Sequence, residues 1–174
     1  FSQDSSSAPL QALKYYLGDE ETSWSLRAAA VVGLPIGAFT QQEIIGLFPK
    51  ISSASANDTG FQEDIFCKLI ADGGSGVLEA ACNCGEPAYR AIGLIGDPDL
   101  LGQVLSKIKG DGSEPSLKNG VAMIDSYLAT ADSLDAAIQK DIKSLLERAK
   151  ESSSPEIKQN AEALMDVFNL KIQN

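Results

Sequence analysis

Residues 115–174 repeat one pattern three times: apolar side chains return every three or four positions. Leu117, Val121, Ile124 and Leu128 form the first stripe, and Leu134, Ile138, Ile142, Leu145 and Ala149 the second. Ile157, Ala161, Leu164, Phe168 and Ile172 form the third. At 3.6 residues per turn each set falls on one helix face, and such a face must be buried against another. Asp132 or Ser133 is placed to cap the second helix. Residues 152–154 are a serine linker in which Ser154 caps the third helix and Pro155 takes its first position. The short linkers predict an antiparallel three-helix bundle.

The first two thirds read as shorter helices. Residues 1–8 read as a flexible arm, and Pro9 opens a helix carrying Leu10, Leu13, Tyr16 and Leu17 on one face, ended by Gly18. Thr22 or Ser23 caps a second helix over residues 24–32, stopped by Gly33 and Pro35. Thr40 with Glu43 makes a capping box for residues 41–48, and Pro49 closes that element. Residues 51–60 read as a surface loop and residues 61–71 as a helix. Gly73-Gly74-Ser75-Gly76 reads as a flexible turn before a short helix over residues 77–82. Pro87 starts a helix with Ala88, Ala91, Ile92 and Ile95 inward, and Gly96 ends it. Asp97 and Pro98 start the next, striped by Leu100, Leu101, Val104, Leu105 and Ile108, with residues 110–113 as its exit loop. No segment alternates with period two, so an α/β sheet is excluded. The fold expected is all-α: residues 9–174 as a single helical domain, with short helical hairpins over 9–110 and the three-helix bundle over 115–174.

Charge narrows the role. The net charge is −10, against nucleic-acid binding, which needs clustered Lys and Arg. It equally disfavours an anionic membrane surface. Residues 1–100 carry 13 acidic and 5 basic side chains, the remainder 11 and 9. The first part therefore suits a partner with a basic face. No window holds the roughly 18 apolar residues of a membrane span. Tyr15, Tyr16 and Trp24, beside Asp19, Glu20 and Glu21, are the candidate partner-binding residues, because Tyr and Trp anchor interfaces. Asn57-Asp58-Thr59 fits a glycosylation acceptor.

Catalysis finds little support. The chain has no histidine, which removes Ser-His-Asp and Cys-His arrangements and histidine-bearing metal sites. The glycine-rich turn lacks the lysine and the preceding strand of a phosphate loop. Cys67, Cys82 and Cys84 are too few for a four-thiolate zinc site. Open to them are a disulfide from Cys67 to Cys82 or Cys84, a redox-cycling Cys82-Asn83-Cys84 pair, and a plain core position for Cys67. No cofactor and no metal are expected.

Ala91-Ile92-Gly93-Leu94-Ile95-Gly96-Asp97-Pro98, followed by Leu100, Leu101, Val104 and Leu105, resembles one HEAT-like repeat of the short kind found in phycobilin lyases. Trp24-Ser25-Leu26-Arg27-Ala28-Ala29-Ala30 resembles the start of another. The resemblance implies a binding scaffold or chromophore-handling protein, and a cysteine as the attachment point of a group such as a bilin. In size, charge and bundle character the chain is also similar to the extrinsic helical proteins of photosystem II. The start Phe1-Ser2-Gln3-Asp4, without Met, reads as a processed terminus. Together these suggest an organelle, such as a plastid or the thylakoid lumen, or another extracytosolic compartment. The reading favoured is a non-catalytic accessory or structural subunit docked on a larger protein assembly, an extrinsic subunit of a photosynthetic membrane complex being one form of it. The scaffold and the thiol-redox protein are the alternatives.

Overall fold

The last turn of a helix exposes carbonyls with no partner inside the helix, so something else must donate to them. In this chain side chains, two of them buried, meet that need at the end of a helix that outruns its proline. The computed structural model describes residues 8–19, 21–52 and 58–173. Among the described residues every regular element is helical and there is no strand, so the chain is all-α. The helices are α1 (Ala8–Gly18), α2 (Trp24–Val32), α3 (Gln41–Ile51), α4 (Thr59–Gly73), α5 (Leu78–Cys82), α6 (Glu86–Ile95), α7 (Pro98–Asp111), α8 (Glu114–Thr130), α9 (Ala136–Lys150) and α10 (Pro155–Lys171). A 3-10 turn, Gly74–Val77, joins α4 to α5 where the sequence suggests a flexible turn. The chain divides into two compact units, Phe1–Pro87 and Ala88–Asn174, whereas the sequence reading places the change of character at residues 110–115.

In unit 1, α2 packs on α1 and α4, and α3 packs on α4, α5 and the 3-10 turn. Leu17, Val31, Ile44, Phe48, Ile65, Phe66, Leu69 and Ile70 are the buried core. The Phe48 and Phe66 rings meet at 5.5 Å, and burying one such side chain contributes roughly 1.5–3 kcal/mol. The capping box at α3 forms as expected: the Glu43 amide donates to Thr40 Oγ1, and Thr40 N–H to Glu43 Oε2 at 2.7 Å.

Pro49 does not close α3, which continues to Ile51. Three consecutive carbonyls of its last turn are each taken by a side chain. Ser52 Oγ donates to Pro49 O at 2.9 Å, Arg27 Nη2 to Lys50 O at 3.2 Å, and Gln62 Nε2 to Ile51 O at 2.7 Å. Arg27 Nε also donates to Leu17 O near the end of α1, at 3.0 Å. One guanidinium thus serves two helix ends, where cations are favoured by the helix dipole. Arg27 is only 2% exposed and lies 4.1 Å from the Trp24 ring.

In unit 2, α7, α8, α9 and α10 pack around Leu101, Val104, Ile108, Val121, Ile124, Ile142, Leu146, Ala161 and Phe168. Their directions follow from their end contacts. Glu114, opening α8, accepts from Ser153 N at 3.0 Å and Ser153 Oγ at 3.1 Å, beside the start of α10. Lys171 Nζ, at the end of α10, donates to Ala131 O just after α8. So α8 and α10 run in the same sense, with α9 opposed. Arg148 Nη1 donates to Lys109 O at 3.3 Å, which sets the ends of α7 and α9 side by side. The arrangement is up-down-up-down, and the expected three helices are joined by α7. α6 crosses α8 at Gly93, where a Cβ would lie 2.2 Å from Met123 O and 3.0 Å from Tyr127 N.

Several boundaries differ from those read in the sequence. Ala8, assigned to the arm, belongs to α1, and residues 1–7 lie outside those described. Ile51 is a buried helical residue rather than the start of a loop, and α4 begins at Thr59; residues 53–57 lie outside those described. Gly110 and Asp111 are the end of α7 rather than its exit loop, and Gly112 turns the chain at φ 63°. The cap of α9 is Asp135, whose carboxylate accepts from Ala137 N at 2.8 Å, not Asp132 or Ser133. Leu134 is buried ahead of that helix. Ile172 follows α10 and is exposed, so it falls off the stripe. Asp97 and Ser154 cap α7 and α10, each followed by proline, as the sequence predicts.

Candidate functional site

A docking surface needs exposed apolar area without a surrounding field of like charge. Residues 24–42 contain a single charged side chain, Arg27, and it is buried. The outer face of α2 and the turn after it are therefore uncharged. They carry Leu26, Val32 at 80% exposure and Ile36 at 88%. Leu26, Ala29 and Val32 stand three residues apart, which places them along one helix face. These are the surface residues that the sequence reading missed, because an apolar run looks like core.

The candidates read from sequence sit on the same unit. Tyr15 and Tyr16 are both exposed on α1, their rings edge to face at 5.9 Å. Asp19 is half-buried and shapes the α1–α2 turn, accepting from Thr22 Oγ1 at 2.8 Å and Glu21 N at 3.3 Å. Glu21 is exposed. Glu20 lies outside the described residues, as does Asn57 of the glycosylation tripeptide. Trp24 is half-buried and stacks on Arg27, so it serves the fold at least as much as a surface.

An open groove of about 650 Å³ runs between α1 and α3, lined by Tyr15, Gly18, Phe39, Glu43, Gly46 and Leu47 among others. Two polar contacts join residues of its lining. Lys14 Nζ pairs with Glu43 Oε1 at 3.2 Å and lies 4.7 Å from the Phe39 ring centroid. Lys50 Nζ donates to Gly18 O at 3.2 Å. The Thr40 backbone N–H, with the Lys14 ammonium, holds the Glu43 carboxyl below the ordinary carboxylate range. A second hollow of about 410 Å³ lies in unit 2, between Leu94, Pro98, Tyr127, Ala131 and Leu134.

Each of the three cysteines is a thiol. Burial, followed by the Asp64 and Glu63 carboxylates, pushes Cys67 up to about 12. Burial, followed by Cys82, pushes Cys84 up to about 11, and its Sγ donates to Ala80 O at 3.5 Å. A reactive thiol needs the opposite shift, since the thiolate is the nucleophile. A move from 9.0 to about 11 predicts that Cys84 alkylates at pH 8 about a hundredfold more slowly in the folded chain than in urea. Time-resolved iodoacetamide labelling with peptide mass mapping reads this; equal rates in the two states refute the sheltered thiol. Among the described residues no three Cys, Asp or Glu side chains converge as a metal site. Compared with protein-family models, curated proteins and solved structures, the chain matches none.

Proposed function

We propose that this chain is a non-catalytic accessory subunit that docks on a larger protein assembly through unit 1. The observation that carries the reading is the uncharged apolar surface of Leu26, Val32 and Ile36 in a chain of net charge −10. Isolated exposed apolar residues are ordinary, but three of them within eleven residues, with Val32 and Ile36 at 80% and 88% exposure and no charged residue between positions 28 and 42, favour an interaction surface. The acidic turn at Asp19 and Glu21 beside the exposed tyrosines suits a partner whose opposing face is basic. No helix among the described residues is long and apolar enough to cross a membrane. An extrinsic subunit of a photosynthetic membrane complex is one concrete form of this proposal.

The test is the native mass of the protein isolated gently from its source, with co-purifying chains identified. Co-migration with a large assembly is expected. The doubly substituted Val32→Asp, Ile36→Asp chain should run near 18.4 kDa while its unfolding free energy stays within about 0.5 kcal/mol of wild type, as for other exposed positions. Wild-type protein running alone at that mass would sink the proposal.

A further inference from the structure

Asn119-Gly120 is the sole Asn-Gly step in the chain. In a flexible segment such a pair is self-reactive: the glycine amide nitrogen, with no side chain of its own to hinder it, attacks the asparagine side-chain carbonyl. Here the step lies inside α8, which packs on α7, α9 and α10. Packing is what requires the glycine. A Cβ at Gly120 would lie 2.7 Å from Leu145 Cδ1 and 2.9 Å from Ile108 Cδ1, and both of those side chains are buried. Asn119 is half-buried, and among the described residues no hydrogen bond holds its side-chain amide. The helix alone restrains it. The ring closes only when ψ of Asn119 swings far from the helical value of about −42°, and when the Gly120 nitrogen leaves the helical hydrogen-bond ladder.

We infer that Asn119-Gly120 is a latent self-modification site, silent in folded unit 2 and reactive once α8 opens. The Gly120 nitrogen bonds to Asn119 Cγ and loses its proton, the Cγ–Nδ2 bond breaks, and ammonia leaves, giving a succinimide. Water then opens the ring at either carbonyl, to aspartate or to isoaspartate. No oxidant, metal or enzyme enters. Isoaspartate carries an extra main-chain carbon, which breaks the helical register. It does so at the step where α8 leaves no room for a methyl against Ile108 and Leu145. A chain converted while open therefore does not re-form unit 2, and each opening carries a risk of permanent loss. This inference stands apart from the docking reading and concerns how unit 2 ages.

The test incubates the full chain at pH 8 with and without guanidinium chloride. Peptides are then mapped by mass spectrometry, with fragmentation that separates aspartate from isoaspartate. In denaturant Asn119 should convert ahead of every other asparagine. In native buffer it should convert at least about a hundredfold more slowly, since helices at the centre of a packed unit open rarely. On dilution from denaturant, chains carrying isoaspartate should be left out of the folded fraction. Asn119→Asp chains, whose main chain is normal, should recover the wild-type helical ellipticity. Equal rates with and without denaturant overturn the inference, as does earlier conversion of another asparagine. Isoaspartate chains that refold to the native ellipticity overturn it too. So does a failure of Asn119→Asp to refold, which would assign the loss to the new charge rather than to the main chain.

Discussion

Gly93→Ala should unfold unit 2 more readily than any other glycine-to-alanine change in the helices α6–α10. The added methyl would lie 2.2 Å from Met123 O, 2.9 Å from Ser126 Cβ and 3.0 Å from Tyr127 N. Two of those three atoms are backbone of α8, so no side-chain rotation relieves the clash, and the helices must separate. Overpacking of this kind costs about 3 kcal/mol. For a unit of this size that corresponds to a fall of roughly 12–24 °C in the melting temperature. Gly102→Ala is the control. Its Cβ would meet only Ile138 Cγ2 at 3.9 Å, an ordinary contact, and the better helix former should raise stability by up to about 1 kcal/mol. Both changes share the same effect on helix propensity and on the unfolded chain, so their difference isolates the crossing. Thermal unfolding followed by circular dichroism decides it, and equal midpoints would remove the crossing from the account.

Arg27→Met should destabilise unit 1 by about 3 kcal/mol, since hydrogen bonds from a charged donor are worth roughly 1.5–3 kcal/mol each. The methionine fills similar volume and removes the desolvation of a buried charge, which offsets part of the loss. It cannot donate to Leu17 O or Lys50 O, so it strips the ends of α1 and α3 together. Arg27→Lys should rescue little, because one ammonium on a shorter reach cannot serve two carbonyls in the fixed fork of a guanidinium. Urea unfolding of the three proteins measures this. A methionine variant with the wild-type midpoint would show that the carbonyls find other donors at no cost.

These two residues also mark where the sequence stops being legible. Caps are readable because they are local: Thr40 with Glu43, Asp97 with Pro98 and Ser154 with Pro155 each bond within four residues. Boundaries set by distant partners are not. Pro49 reads as a stop, yet α3 is held past it by Arg27 and Gln62, from 23 and 11 residues away along the chain. Arg27 stands in the sequence only ahead of an alanine run, and the two carbonyls it serves belong to Leu17 and Lys50, 10 and 23 residues away. Gly93 appears only within the repeat-like string, and the atoms that require it belong to Met123, Ser126 and Tyr127 of α8. The candidate site divides the same way. Tyr15, Tyr16 and Glu21 were visible because aromatic and acidic residues announce themselves. Leu26, Val32 and Ile36 were not, since hydropathy cannot tell an exposed apolar face from a buried one. The groove was invisible because its walls, α1 and α3, are about thirty residues apart, as the Lys14–Glu43 contact shows.

The stack of Trp24 on Arg27 has a spectroscopic consequence. Trp24 is the sole tryptophan of the chain, and it lies in unit 1. Emission excited at the red edge of the indole band therefore reports unit 1 only, with a guanidinium 4.1 Å from the ring as its immediate environment. Backbone ellipticity reports every helix. If the two signals melt at different temperatures, the gap between them measures how far the units unfold independently, with no label attached.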